Sequence, residues 1–212
     1  LGKNKHIGPA EIATRHYTPE EYFELEAASE VRHEYFEGEV FAMAGASKAH
    51  NLLAQNLAVS LRTALRGKGC QTFVEDVRLV MKENIHYVYP DVLVTCDPTD
   101  RHDDYLVRHP VLIAEILSPS TAECDRTGKF ANYQKIPSLR HYLLVSQSAW
   151  VVEWFRRDEA GQWIYTLLHE PTSVLQILDL GLTLPLRALY EDTDVAPLRA
   201  QPAPDPLPPG SC

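Results

Sequence analysis

Two carboxylates in this 212-residue chain stand where the surrounding residues give them no ordinary reason to be. Glu115 lies in Val111-Leu112-Ile113-Ala114-Glu115-Ile116-Leu117, the most apolar run of the sequence. An ionised carboxylate there is costly unless it meets a cation, binds a metal or shifts its pKa. The bland alternative is a strand end that turns the side chain to solvent or to a structural arginine. Asp91 lies in Tyr87-Val88-Tyr89-Pro90-Asp91-Val92-Leu93-Val94, again between apolar residues. Pro90 cannot donate to a strand ladder, so it predicts a bulge or an edge, a common device for re-aiming a side chain. The two runs read as consecutive strands that pair. A pair of carboxylates plus phosphate oxygens is a normal ligand set for Mg²⁺. Further on, Asp125, Lys129 and Tyr133 are spaced by four and share a helix face. Alone they read as a surface ion pair beside a half-buried tyrosine. This helix, however, leaves the Glu115 strand through Ser118-Pro119-Ser120-Thr121, so Lys129 stays close enough to reach a phosphate oxygen or an attacking water.

The elements that must position these groups follow from local pattern. Thr18-Pro19-Glu20-Glu21 predicts a helix start with a capping box, running to about Ala28. Arg32 to Phe41 predicts a hairpin turning at Glu37-Gly38. Ser47 can cap a long amphipathic helix whose stripe is Leu53, Leu57, Leu61 and Leu65, ended by Gly67 and Gly69. Strands are expected over Gln71–Met81, Tyr87–Thr95 and Val111–Leu117, then a helix from about Thr121 to Lys135, stopped by Pro137. A strand over Tyr142–Ser146 and a hairpin of Trp150–Arg156 with Trp163–Leu168 complete the pattern. The order helix, three strands, helix, strand implies an α/β fold (α+β with a mixed sheet) with helices against it. The expected organisation is an extension over 1–17, one domain over 18–195 and a Pro-rich tail over 196–212.

Composition sets limits. Net charge is −9, which argues against a protein that coats nucleic acid non-specifically, since such binding runs on a basic surface. It leaves room for an enzyme that grips a few phosphates through metal ions. From Lys48 to Lys68 there are four cations and no anion, a pattern that helix-dipole complementarity near a C-terminus also explains. The acidic loop Asp97–Asp104 reads as solvated. Four cysteines, Cys70, Cys96, Cys124 and Cys212, show no metal-ligand spacing and are expected as free thiols. No run is long and apolar enough to cross a bilayer and no signal peptide is evident, so a cytoplasmic protein is expected.

At these residues the chain resembles the Uma-two family of restriction-endonuclease-like proteins, within the PD-(D/E)xK nucleases. The matching pieces are Glu34-Tyr35-Phe36-Glu37-Gly38-Glu39, Ser47 to His50, Pro90-Asp91-Val92, Ala114 to Thr121, the spaced Asp125, Lys129 and Tyr133, and Arg140 to Val145. They span about Thr18 to Leu189. The superfamily's lysine usually stands two residues after the second carboxylate, where this chain has Leu117. The resemblance therefore implies a migrated lysine, Lys129, with Lys135 on the same helix as the other candidate. It further implies a restriction endonuclease-like core and metal-dependent hydrolysis of DNA. Asp91, Glu115 and Lys129 would be catalytic. Asp91, Glu115 and the Ile116 carbonyl would hold Mg²⁺ or Mn²⁺, Tyr133 would support Lys129, and Glu34, Glu39 and His50 would be auxiliary. A homodimer is expected from the need to cut two strands. Two rivals stand beside this expectation: a catalytically silent nucleic-acid- or protein-binding module on the same fold, and a metal-dependent hydrolase of RNA or small phosphate esters.

Overall fold

The computed structural model describes residues 15–43, 45–118 and 122–198. The Pro119–Thr121 link, most of the N-terminal extension and most of the Pro-rich tail lie outside the described residues. Helix α1 (Pro19–Ala28) carries the expected capping box, with Thr18 accepting from the Glu21 amide and Glu21 returning to the Thr18 amide. Strands β1 (His33–Phe36) and β2 (Glu39–Ala42) form the expected hairpin, with positive φ at Glu37 and Gly38 in its turn. Helix α2 (Lys48–Ala64) is capped by Ser47.

The two runs that read as single strands are each split between two sheets. Gln71–Met81 becomes β3 (Gln71–Val74) and β4 (Arg78–Lys82), and the next run becomes β5 (His86–Val88) and β6 (Val92–Thr95). Pro90 marks the second break, as a residue unable to join a ladder should. The first break has no Gly or Pro: Glu75 itself takes a left-handed φ of 55° there, and its amide donates to the Asp91 carbonyl. The chain continues through a 3-10 turn (Pro98–His102), β7 (Leu106–Val107) and β8 (Pro110–Leu117). Contrary to the solvated reading of this acidic loop, Asp100 is buried and accepts from Thr95 Oγ1, at 2.6 Å, and from the Arg108 and His109 amides.

The expected continuous helix over 121–135 is instead α3 (Ala122–Cys124), a π turn (Asp125–Lys129) and α4 (Phe130–Tyr133). Gly128, a poor helix former, lies in the wide turn. Strand β9 (His141–Ser146) and the hairpin β10 (Val152–Arg157) and β11 (Trp163–Leu168) follow. A second hairpin, β12 (Val174–Ile177) and β13 (Leu182–Pro185), and the short α5 (Leu186–Leu189) were not anticipated.

These strands make a five-stranded sheet, β2-β1-β5-β4-β7, and a six-stranded sheet, β11-β10-β9-β8-β6-β3. In the larger sheet β8 runs parallel to β9 and antiparallel to β6. The result is the mixed α+β architecture expected. Alternation along β8 decides what each face meets. Leu112, Ala114 and Ile116 pack with Leu53, Leu57 and Leu61 of α2 and with the β12–β13 hairpin. Ile113 and Leu117 face the opposite way, toward Leu79 and Val88 of the smaller sheet and toward Tyr133. By the same period of two, Glu115 is directed to that second face, between the two sheets.

Cys70 and Cys96 form a disulfide, which corrects the free-thiol expectation for this pair. The antiparallel register sets Gln71 opposite Thr95, so the two flanking residues also face each other, with Cα atoms 4.0 Å apart. Strand pairing, rather than any spacing motif, brings the sulfurs together.

Candidate active site

Glu115, Asp125 and Lys129 converge on the face of β8 opposite α2. The Lys129 ammonium lies 3.2 Å from Glu115 Oε1, 3.3 Å from Asp125 Oδ1 and 3.6 Å from Glu34 Oε1. The side chains of Glu115 and Asp125 are each 3% exposed. Asp125 is therefore no surface partner, and its Oδ1, though close to Lys129, makes no hydrogen bond. Spacing by four puts Asp125 and Lys129 on one face, here the face toward β8, in a π turn of the kind often found at functional sites. The Tyr133 hydroxyl, one turn further, donates to Glu115 Oε1 at 2.7 Å. Tyr142 of β9 donates to the Asp125 carbonyl.

Asp91 reaches the same place from the break between β5 and β6. Its Oδ2 accepts from the Ile116 amide at 2.6 Å, one residue beyond Glu115, and lies 3.2 Å from His50 Nε2 near the start of α2. Ile116 thus contributes its N–H to Asp91. Glu39 is exposed on β2 and takes no part in the cluster. Lys135 likewise points elsewhere, to Asn132 Oδ1, which leaves Lys129 as the lysine at the carboxylates. Glu75 escaped the sequence reading. Its Oε1 is buried without a hydrogen-bond partner, and its charge is felt by His50. Only the strand break at its own backbone betrays it.

The electrostatics follow from burial and crowding. Burial, reinforced by Asp91 and Asp125, pushes the Glu115 carboxyl up to about 8, although Lys129 and the Tyr133 hydroxyl pull the other way. Burial alone would lower the Lys129 pKa, but Glu115, Glu34, Asp125 and Asp91 outweigh it and hold the ammonium well above its ordinary value. Burial also disfavours a charged His50, yet its bond to Asp91 prevails and the imidazole is raised. Lys129 is thus firmly charged, and one of its carboxylates is poised to take up a proton.

Asp91 accepts from the amide that follows Glu115, and its charge acts on the Glu115 carboxyl. Among the described residues no three His, Cys, Asp or Glu side chains form a metal cage by themselves. A hard divalent cation needs only one or two carboxylates when water and phosphate oxygens complete its shell, and the buried, unbonded Asp125 Oδ1 adds a further acceptor nearby. The donor set therefore fits Mg²⁺ or Mn²⁺. A cavity of about 1030 Å³ lies elsewhere, between β9, β10 and β12. Its lining mixes Arg140 and Arg156 with Asp158, Glu159 and Asp179, so it carries no preference of charge.

Comparison with known proteins places these features in context. The model of the family described as "Uma2: Putative restriction endonuclease" matches residues 19–187. The "Uncharacterized protein slr1290" of Synechocystis sp. is 35% identical over 173 residues, covering 82% of this chain and 90% of that protein. A second Synechocystis protein, sll1609, is 37% identical over 157 residues, covering 73% and 89%. The crystal structure of a "putative nuclease belonging to DUF820" from Anabaena variabilis matches with a TM-score of 0.68 at 17% identity, covering 82% of this chain and 97% of that one. At that identity the likeness speaks for the fold.

Proposed function

The chain belongs to the Uma2 restriction endonuclease family, and on that premise we propose that it is a metal-dependent endonuclease hydrolysing phosphodiester bonds in DNA. The observation that carries the proposal is that three separate segments bring Lys129 onto Glu115 and Asp91 onto the next amide, Ile116, close enough for the Asp91 charge to act on both. In this reading Asp91 and Glu115, with the Ile116 carbonyl, hold Mg²⁺ or Mn²⁺. Such a cation supplies Lewis acidity toward the phosphodiester and a more acidic water. Lys129 keeps a fixed positive charge where negative charge builds on the phosphate oxygens, the kind of preorganised stabilisation that dominates many enzymatic rate enhancements. Tyr133 orients Glu115 through its hydroxyl, and His50 and the Ile116 amide orient Asp91. Glu34 helps to centre the Lys129 ammonium. Two copies of the chain would present two such sites to a duplex, and a DNA substrate implies an intracellular setting. Among the described residues no helix is long and apolar enough to cross a membrane.

One observation favours a second reading. Lys129 already neutralises its carboxylates in a chain of net charge −9, which a silent binding module on this fold would also show. Isothermal titration of Mn²⁺ into the wild type and Asp91→Asn, with plasmid cleavage on the same samples, decides between them. Metal binding and metal-dependent nicking by the wild type alone support the nuclease. A wild type that binds Mn²⁺ but cuts neither DNA nor RNA would remove the catalytic proposal.

A further inference from the structure

The six-stranded sheet ends on one side at β3, and α2 packs along that edge strand. The two run in opposite directions. The start of α2, at His50, and the end of β3, at Glu75, both lie beside Asp91. The far end of the same edge is a cavity of about 510 Å³ lined by Arg62, Arg66, Cys70, Gln71, Thr72 and Phe73 among others, with no acidic residue in its lining. Arg62 and Arg66 are both exposed and neither forms an ion pair among the described residues. Arg101, outside the lining, donates its guanidinium to the carbonyl of Gly69, the residue before Cys70, at 2.7 Å. The Cys70–Cys96 disulfide ties down the floor. Helix-dipole complementarity explains cations near the end of α2. It does not explain why a concave site free of anions persists in a chain of net charge −9.

We infer that this cavity is a phosphate-binding subsite, and that the β3 edge is the track along which a nucleic-acid backbone runs between it and the carboxylate cluster. The inference rests on the nuclease reading and adds to it a substrate path. From His50 to Arg62 the helix rise gives roughly 18 Å, and Arg66 follows just past the helix end. That distance corresponds to about 5 base pairs of duplex. The arginines therefore hold the backbone well away from the reacting phosphate, where they fix register and contribute affinity.

The test is fluorescence anisotropy of a labelled duplex and its single strand, in Ca²⁺ or EDTA so that nothing turns over, across a salt series. The proteins are wild type, Arg62→Gln/Arg66→Gln and a charge-matched control, Lys82→Gln/Arg140→Gln, whose residues are exposed away from the edge. Loss of two phosphate contacts should lower the log–log salt slope by about 1.4–1.8 and weaken binding roughly ten-fold at low salt. The control should bind like wild type, and Mn²⁺ titration should be the same in all three. If the double variant does not fold, Arg66→Gln alone, at an exposed position after the helix, should lower the slope by about half as much. Unchanged binding by the arginine variants, or an equal loss in the control, overturns the subsite while leaving the nuclease reading intact. A wild type that binds no nucleic acid at all removes both.

Discussion

Replacing Lys129 with methionine, which keeps the length of the side chain but removes its charge, gives the sharpest test of the buried cluster. The ammonium sits 3.2 and 3.3 Å from two carboxylates that are almost fully buried. Removing one partner of such a buried pair costs about 3–5 kcal/mol. The pH dependence separates this cause from a simple packing defect. Glu115 has a folded-state pKa raised to about 8 from an ordinary 4.5. For a group raised on folding, the stability it contributes is present below the unfolded pKa and is lost as pH rises through the folded value. Wild-type stability should therefore decline toward pH 8 at up to roughly 1.4 kcal/mol per pH unit and then level off. In Lys129→Met the main influence lowering the Glu115 pKa is gone, so the decline continues beyond pH 8 and the gap between the proteins widens. Urea unfolding followed by tryptophan fluorescence at several pH values measures both curves. Adding Glu115→Gln to Lys129→Met should flatten the alkaline decline and recover much of the loss. A variant within about 1 kcal/mol of wild type, with a parallel pH profile, would refute the assignment of these charges as a coupled buried cluster.

Other expectations follow from single contacts. Tyr133→Phe removes the buried hydrogen bond to Glu115 and should cost about 1–2 kcal/mol in urea unfolding. It should also weaken Mn²⁺ binding measured by calorimetry if Tyr133 orients Glu115. Glu26→Gln disturbs a buried network in which Glu26 accepts from the His33 amide and side chain and from the Tyr89 hydroxyl. A loss of about 1–3 kcal/mol is expected, with far-ultraviolet circular dichroism at low temperature unchanged. Cys70→Ser/Cys96→Ser opens a link across a sequence separation of 26, and chain-entropy reasoning puts the loss at up to about 3.5 kcal/mol. A reductant should lower the wild-type melting temperature toward that of the double variant and leave the variant unmoved.

What could be read from the sequence divides by the range of the interaction. Thr18 and Ser47 as caps, the α2 leucines and the apolar β8 run are local signals, and each produced the expected element. The placement of Asp91 beside β8 was legible because Pro90 announces a break and the following strand is short. The breaks themselves send the chain from one sheet to the other, and no residue type encodes that choice. Val74 and Leu79 are equally good strand formers in either sheet. Glu75 adopts its left-handed turn without a glycine to advertise it. Asp125 misled for a related reason: spacing by four from a lysine looks the same on a solvated helix as on a π turn that buries its aspartate. Cys70 and Cys96 meet through strand register, which spacing alone does not reveal. The β12–β13 hairpin is different. Its alternation, Val174 to Ile177 and Leu182 to Pro185, follows the period-two rule and was available to be read.

The ion pair between Lys129 and Glu34 crosses from one sheet to the other, since Glu34 belongs to β1 of the smaller sheet and Lys129 follows β8 of the larger. The cluster is therefore also a gauge of the spacing between two layers. Substitutions in the β1–β2 hairpin or beneath α1 that shift the smaller sheet by a fraction of an ångström would change how firmly the ammonium is centred, without touching Asp91, Glu115 or Lys129. Related chains could tune the centre through the tilt of a hairpin, so an identical set of central residues need not mean equal performance.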